Sequence, residues 1–316
     1  MSSIPVVARP APKQTPLPAK TGVKLRREGW SRRLPFLPAF LVTVALTQLP
    51  FVLTLIYSFT NWNLLFPGKR SFIGFDNYTR AFADPVFRQA AVNTVVITAT
   101  SVIASVLIGL ALAMLLDRAF RGRGIARTLL ITPFLVMPAA ASLIWKTTIL
   151  NAGGGVLNWV LTPLGGSDID WAGHHATLTV IFVLVWQWTP FMMLILLAGL
   201  QSQPGEVLEA ARVDGAKGWQ IFQYMTFPHL RQYFELGIVL GAIYILQAFD
   251  QVYLITQGGP GTQTTILPYF LYLRTFRGGQ IGFAAAAGVI VVIATIIIAT
   301  FALRLVASMF RQEPNR

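Results

Sequence analysis

The chain has no cysteine in 316 residues. Disulfides, thiol nucleophiles and iron–sulfur clusters are therefore excluded. Charge is scarce too: 12% of residues are Asp, Glu, Lys or Arg, where a soluble domain carries about 25%. Acids are scarcest, with 12 Asp and Glu against 25 Lys and Arg. No G-x-x-x-x-G-K-[ST] phosphate loop occurs, and the nearest look-alike, Gly215-Ala216-Lys217-Gly218, is too short to cradle a nucleotide. There are three histidines. His174 and His175 share a segment with Asp168 and Asp170, but adjacent histidines in a hydrated loop read as solvated side chains rather than a ligand set. His229 follows Pro228 and reads as a surface residue. No Ser/His/Asp or two-carboxylate arrangement presents itself. The expectation is a chain with no catalytic residue, no metal and no cofactor of its own.

Apolar residues are abundant instead, at 54%. Six runs reach the roughly twenty residues needed to cross a bilayer. They lie near Leu34–Tyr57, Asn93–Leu116, Ala126–Ile149, Ala176–Leu200, Leu236–Thr256 and Phe283–Phe310. The fold class expected is all-α, an integral membrane protein of six helices. Pro133, Pro138 and Pro190 fall inside runs and are expected to kink them. Gly237 and Gly241 form a small-xxx-small face that suits helix packing.

Three parts follow: a basic, proline-rich tail over 1–33, a membrane domain over 34–310, and a short tail over 311–316. The first lacks an apolar core and is expected to be a disordered cytoplasmic tail, with Lys20, Lys24, Arg26, Arg27, Arg32 and Arg33 available to lipid headgroups. It is too long before the first apolar run for a cleaved signal peptide. Eighteen of the 25 Lys and Arg lie in the tail, around Arg118–Arg127, around Glu209 and at the C-terminus. The other seven are Lys69, Arg70, Arg80, Arg88, Lys146, Arg274 and Arg277. The positive-inside rule therefore puts both termini and the Glu209 loop in the cytoplasm. Basic residues collect at helix ends rather than in stripes beside aromatics, which argues against a nucleic-acid partner.

The loop over 201–234 is the polar stretch between two apolar ones. Gly205 to Val213 is rich in good helix formers. Gly215 permits a turn, and Trp219, Phe222, Gln223 and Thr226 mark a second short helix that Pro228 is expected to end. Its motif runs Glu209-Ala210-Ala211, Asp214-Gly215, nine residues, Met225, then Pro228. This resembles the EAA loop of ABC-importer membrane subunits, with Met225 where Ile is usual and Phe227 where Leu is usual. The resemblance implies a coupling helix, carried by Glu209, Ala210, Ala211, Asp214, Gly215 and Pro228, that docks on a cytoplasmic ATPase.

Two outer segments carry a second resemblance, to carbohydrate-type ABC permeases. One is Phe72-Ile-Gly74-Phe-Asp-Asn77-Tyr78 with Asp84-Pro85-Val-Phe87 and Asn93-Thr94. The other is Gly258-Gly259-Pro260 with Thr264-Thr265, Leu267, Tyr269, Tyr272 and Phe276, whose aromatic part suits a short interfacial helix. The run Ala248-Phe249-Asp250-Gln251-Val252-Tyr253 is similar to that of polyol permeases. Membership in this branch, which includes the maltose and glycerol-3-phosphate permeases, implies several partners. They are a second homologous permease, two ATP-binding subunits holding ATP and Mg, an extracytoplasmic solute-binding protein, and a sugar substrate, all at a bacterial inner membrane.

Polar groups inside spans are costly in lipid and often line a path. Run four carries Trp186, Gln187 and Trp188; run five carries Tyr244, Gln247, Asp250 and Gln251. At i, i+3 and i+7, Tyr244, Gln247 and Gln251 share one face of an unbroken helix. Rings and amides suit a sugar, but helix packing remains open for Gln247 and Gln251, and packing or interfacial anchoring for Trp186 and Trp188. A secondary carrier driven by protons or sodium is the alternative; it needs several intramembrane carboxylates and an inverted repeat, and the sequence offers Asp250 alone and no repeat.

Overall fold

The computed structural model describes residues 36–68, 70–164 and 169–309. The tails over 1–33 and 311–316 lie outside the described residues, as do Lys69 and Asp168. The chain divides into two compact units, residues 1–51 and 52–316. Helix α1 (Leu37–Ser58) crosses the boundary between them. It is apolar throughout, and the side chains from Phe36 to Ile56 are largely exposed.

The larger unit is all-helical in its described part. After α1 come α2 (Asp76–Ala83) and α3 (Pro85–Asp117). Asp84 caps α3, its carboxylate accepting from the Val86 and Phe87 N–H groups, and Pro85 opens the first turn. That start lies eight residues before the expected Asn93, because the cap and the proline, not hydropathy, set it. Next are α4 (Arg123–Leu135), α5 (Pro138–Ile144, continued by a π-helical turn to Ile149), α6 (Val156–Leu161), α7 (Trp171–His174) and α8 (Ala176–Gln201). The core packs α3 and α8 with a later helix, α12 (Arg231–Leu246), around Val180, Leu184, Met192, Leu196, Leu230 and Ile245. Gly237 and Gly241 of α12 both face Met192, and a Cβ at Gly241 would collide with its Cε. The small-residue face thus seats one methionine of α8.

Among the described residues, three helices are long and apolar enough to cross a membrane: α1, α3 and α8. Two more spans arise if each bent pair counts once. One pair is α4 with α5 and its continuation, bent by 98°; the other is α12 with α13 (Phe249–Gln251) and the π-helical turn to Thr256, bent by 45°. The sixth expected run lies on α15 (Ile281–Met309), a 29-residue helix that is apolar over Ile281–Ile297. Of the three prolines expected to kink helices, only Pro138 stands at a break. It is the first residue of α5 and holds Met137 extended. Pro133 and Pro190 lie within continuous helices.

The two outer motif segments interlock. Asn77 is buried and donates to the Ser58 and Thr60 carbonyls, both at 2.9 Å. Asn93 donates to the Thr262 and Thr265 carbonyls at 2.8 and 3.0 Å, and Thr94 accepts from the Leu267 N–H at 2.9 Å. Asp84 pairs with Arg274 just beyond α14 (Leu267–Tyr272). Asn93→Ala leaves two carbonyls without their donor, at roughly 1–3 kcal/mol each. The expected result is faster limited proteolysis at 257–266 with helical circular dichroism retained; an unchanged cleavage rate would contradict this role.

Candidate functional site

A recess of about 140 Å³ opens where the fifth span is broken. Its lining is Pro138, Trp188, Tyr244, Gln247, Ala248, Phe249, Asp250 and Gln251. Five of the seven sequence-derived path residues meet there. Trp188 and Tyr244 stack with centroids 5.3 Å apart and planes 18° apart, backed by Phe191. Gln247 and Tyr244 are exposed, while Asp250 is half-buried.

The other two go elsewhere. Trp186 packs edge-on to Trp145 at 5.4 Å, in a separate apolar cluster. Gln187 lies beneath the recess and is 3% exposed, as is Gln251. Gln251 Nε2 donates to Gln187 Oε1 at 2.8 Å, and Gln187 Nε2 donates to the Val136 carbonyl at 3.1 Å. The expected common face of Tyr244, Gln247 and Gln251 is therefore not formed. Helix α12 ends at Leu246, where Gln247 caps it and Ala248 leaves the helical region, so Gln251 turns inward. The assignment of a Gln at 251 to either lining or packing resolves into both: it touches the recess and carries the bond below it.

Two partners were missed by the sequence reading. Val136 contributes only a backbone carbonyl, which no side-chain pattern reveals. Lys146 Nζ, half-buried, donates to the Leu254 carbonyl at 2.8 Å. A lone lysine inside an apolar run was the available signal.

The polar loop folds as two arms. Helix α9 (Gly205–Val213) has Glu206 in its first turn and Arg212 in its last, both favourable to the helix dipole. Gly215 then takes φ +84°, and the Ala216 N–H returns to the Ala211 carbonyl at 3.0 Å. Helix α10 (Gly218–Ile221) follows, then a π-helical turn to Thr226 and α11 (Phe227–His229). Pro228 thus does not end the second arm. It sits one residue before the end of the run at His229, and the widened π-helical turn before it accommodates the ring. Glu209, Ala210, Asp214 and Pro228 are exposed, whereas Ala211 is buried within the knuckle. Val213, Trp219 and Tyr224 are 87%, 69% and 69% exposed, an apolar display on a hydrated loop. A hollow of about 350 Å³ lies between the arms, lined by Asp214, Gly215, Gln220, Tyr224 and Met225 among others.

Both ends of the knuckle are tied together. Ser202 Oγ, just after α8, meets His229 Nε2 at 3.0 Å and Tyr233 Oη at 2.8 Å. His229 is thus a clamp residue of the loop's exit. Among the described residues, no group of three or more His, Asp or Glu could hold a metal.

Comparison with known proteins adds a family. The model described as "Binding-protein-dependent transport system inner membrane component" matches residues 91–312. A probable ABC transporter permease protein, y4oQ of Sinorhizobium fredii, is 36% identical over 248 residues, covering 78% of this chain and 80% of the relative. The trehalose/maltose transport system permease protein MalF of Thermococcus litoralis is 32% identical over 266 residues, covering 84% and 89%. A crystal structure of a bacterial alginate ABC transporter in complex with an alginate pentasaccharide-bound periplasmic protein contains a chain of the same fold. It superposes with TM-score 0.75 at 20% identity, covering 89% of this chain and 96% of that one.

The amide pair generates a test of its own. Gln187→Leu leaves Gln251 and the Val136 carbonyl without partners; adding Gln251→Leu removes one of the orphans. The expected double-mutant cycle shows the double variant less destabilised than the sum of the singles, by on the order of 1 kcal/mol in detergent melting. Additive losses would contradict the bond.

Proposed function

The chain belongs to the family of binding-protein-dependent transport system inner membrane components, and on that premise we propose that it is one permease half of an ATP-driven importer for a sugar or sugar-like solute. The observation that carries the reading is the recess itself. It presents a stacked Trp188–Tyr244 pair beside Gln247, Asp250 and Gln251, at a break in a membrane helix. Rings offer apolar faces to a sugar's C–H surface; amides and a carboxylate offer paired donors and acceptors to its hydroxyls. At about 140 Å³, the recess is well under the roughly 300–1,000 Å³ of a complete small-molecule site. It is half a site, and a second, homologous permease supplies the other wall. A disaccharide, a polyol or a glycerol phosphate fits this chemistry, and the trehalose/maltose relative supports a carbohydrate.

The remaining assembly follows from the same reading. The chain crosses the bacterial inner membrane six times with both termini in the cytoplasm, in keeping with its Lys and Arg distribution. The knuckle at Glu209–Pro228 docks on one of two cytoplasmic subunits that hold ATP and Mg, its exposed Val213, Trp219 and Tyr224 facing a groove. An extracytoplasmic solute-binding protein delivers the sugar from outside. The Ser202 clamp makes the knuckle a rigid lever, so closure of the ATPase pair is transmitted to α8 and α12 and switches the spans between two packed states. An ion-coupled carrier remains the second reading, because Asp250 lines the recess; uptake that survives ATP depletion but collapses with an uncoupler would favour it.

Two experiments test the proposal. Affinity purification from native membranes is expected to bring down an ATPase and a second permease, and Glu209→Lys is expected to lose the ATPase selectively; a chain that purifies alone refutes the reading. The Gly215 turn gives a sharper comparison. A Cβ there meets nothing within 4 Å, so the constraint is φ +84° and the harm of Gly215→Asp lies in its charge beside Asp214. Asn tolerates the left-handed region as Asp does. Gly215→Asn is expected to keep more than half of sugar uptake at equal expression while Gly215→Asp loses at least tenfold; equal uptake by both would refute this.

A further inference from the structure

A second recess lies on the face that the proposed orientation turns outward, far along the chain from the first. It measures about 50 Å³ and is lined by Asn61, Trp62, Asn63, Asn77, Arg80, Gln280 and Phe283. We propose that it receives a carboxylate side chain of the extracytoplasmic solute-binding protein when that protein docks; this rests on the importer reading above.

The chemistry is one of unused donors. Arg80 stands over the Phe283 ring, with its Cζ 5.5 Å from the centroid. Among the described residues its guanidinium makes no ion pair and no hydrogen bond, although it is exposed and carries five N–H groups. The side-chain amides of Asn61 and Gln280 also carry no partner there. Arg70 and Arg274 add to the field. Arg70 lies 4.6 Å from the Trp62 centroid, and Arg274 lies 5.6 Å from that of Phe283. Only Arg274 is neutralised, by Asp84. Asp76, one turn before Arg80 on α2, joins no ion pair and lowers the local excess without cancelling it.

The frame is rigid. The Leu64 N–H donates to the Gly279 carbonyl at 2.8 Å and the Gly282 N–H to the Trp62 carbonyl at 3.0 Å. Asn77 ties the floor to Ser58 and Thr60. Gly282 sits so close to this segment that a Cβ would collide with the Thr60 carbonyl. These bonds fix the backbone that carries Asn61 and Gln280, so the frame itself need not reorder on binding. The recess is small, at about 50 Å³, and suits the planar end of one side chain. Arg presents its N–H groups in the fork that a carboxylate matches.

The test uses the importer purified with its partner subunits in lipid nanodiscs. It is titrated with the solute-binding protein that co-purifies with it, saturated with its sugar, while ATP hydrolysis is followed. Arg80→Glu is expected to raise the half-maximal concentration of binding protein at least tenfold, and Arg80→Lys threefold or less. Arg88→Glu, an exposed arginine on α3 outside the recess, is expected to change it by no more than twofold. Replacing the matching carboxylate of the binding protein by Lys should restore the Arg80→Glu titration. If Arg80→Glu fails to assemble, Gln280→Glu carries the test, with an expected rise of at least threefold. A titration within twofold of wild type, or an equal loss with Arg88→Glu, overturns the proposal. So does a loss that disappears in nanodiscs without anionic lipid, which would assign the recess to a headgroup phosphate. Wild-type importer that no co-purifying binding protein stimulates would overturn the importer reading, and this recess with it.

Discussion

A helix broken inside a bilayer releases N–H and C=O groups that lipid cannot satisfy, and this chain breaks two. One break follows Leu135, the other Leu246. Their cost is met locally by side chains from neighbouring elements. Gln187, on the unbroken α8, reaches the freed Val136 carbonyl at the first break, while its oxygen accepts from Gln251 just past the second. Past the breaks, Lys146 on one bent pair of helices binds the Leu254 carbonyl on the other. Each leg of this network depends on the others, because a buried amide that loses one partner carries the full desolvation penalty. The recess exists because of it: with α12 ended at Leu246, the chain between Gln247 and Gln251 departs from the helical path, and Trp188 and Tyr244 can stack beside the opening.

The same logic of tied ends recurs on either side of the spans. On the Glu209 side, the two arms of the knuckle hang from α8 and α12, which already pack through Met192, Leu196 and Leu230. Ser202 joins its entrance to its exit, so a push on the exposed arms reaches two core helices at once. On the opposite side, segments nearly two hundred residues apart in sequence are bonded through Asn93, Thr94 and the Asp84–Arg274 pair. The region of broken helices is thus bracketed on both sides by bonded segments.

Much was legible from residues alone, for physical reasons. Scarce charge and apolar runs of about twenty residues point to a membrane chain of helices, since helices and closed barrels alone satisfy the backbone in lipid and runs of this length suit helices. The Glu209–Pro228 spacing marked the knuckle, and Gly215 marked its turn, because only glycine enters the left-handed region freely. Of the polar residues of runs four and five, Trp188, Tyr244, Gln247, Asp250 and Gln251 meet at one recess, while Trp186 packs elsewhere. What periodicity could not deliver was which way each one faces. The helical wheel assumes a continuous helix, and the break after Leu246 has no proline to announce it; Gln251 rotates inward while Gln247 stays out. Pro133 and Pro190 do not mark breaks, because the helices continue past them.

The sequence by itself determined the medium, the helical class and the location of the exposed loop, because each is a property of local composition and spacing. Tertiary structure alone decided the pairing of Gln187 with Gln251, the use of a Val136 carbonyl, the clamp at Ser202 and the gathering of Arg70, Arg80 and Arg274 around one small recess. All of these join residues distant in the chain, and several use backbone atoms that every residue shares. Hydropathy and spacing count side chains along a line, whereas a hydrogen bond depends on where two atoms meet in space.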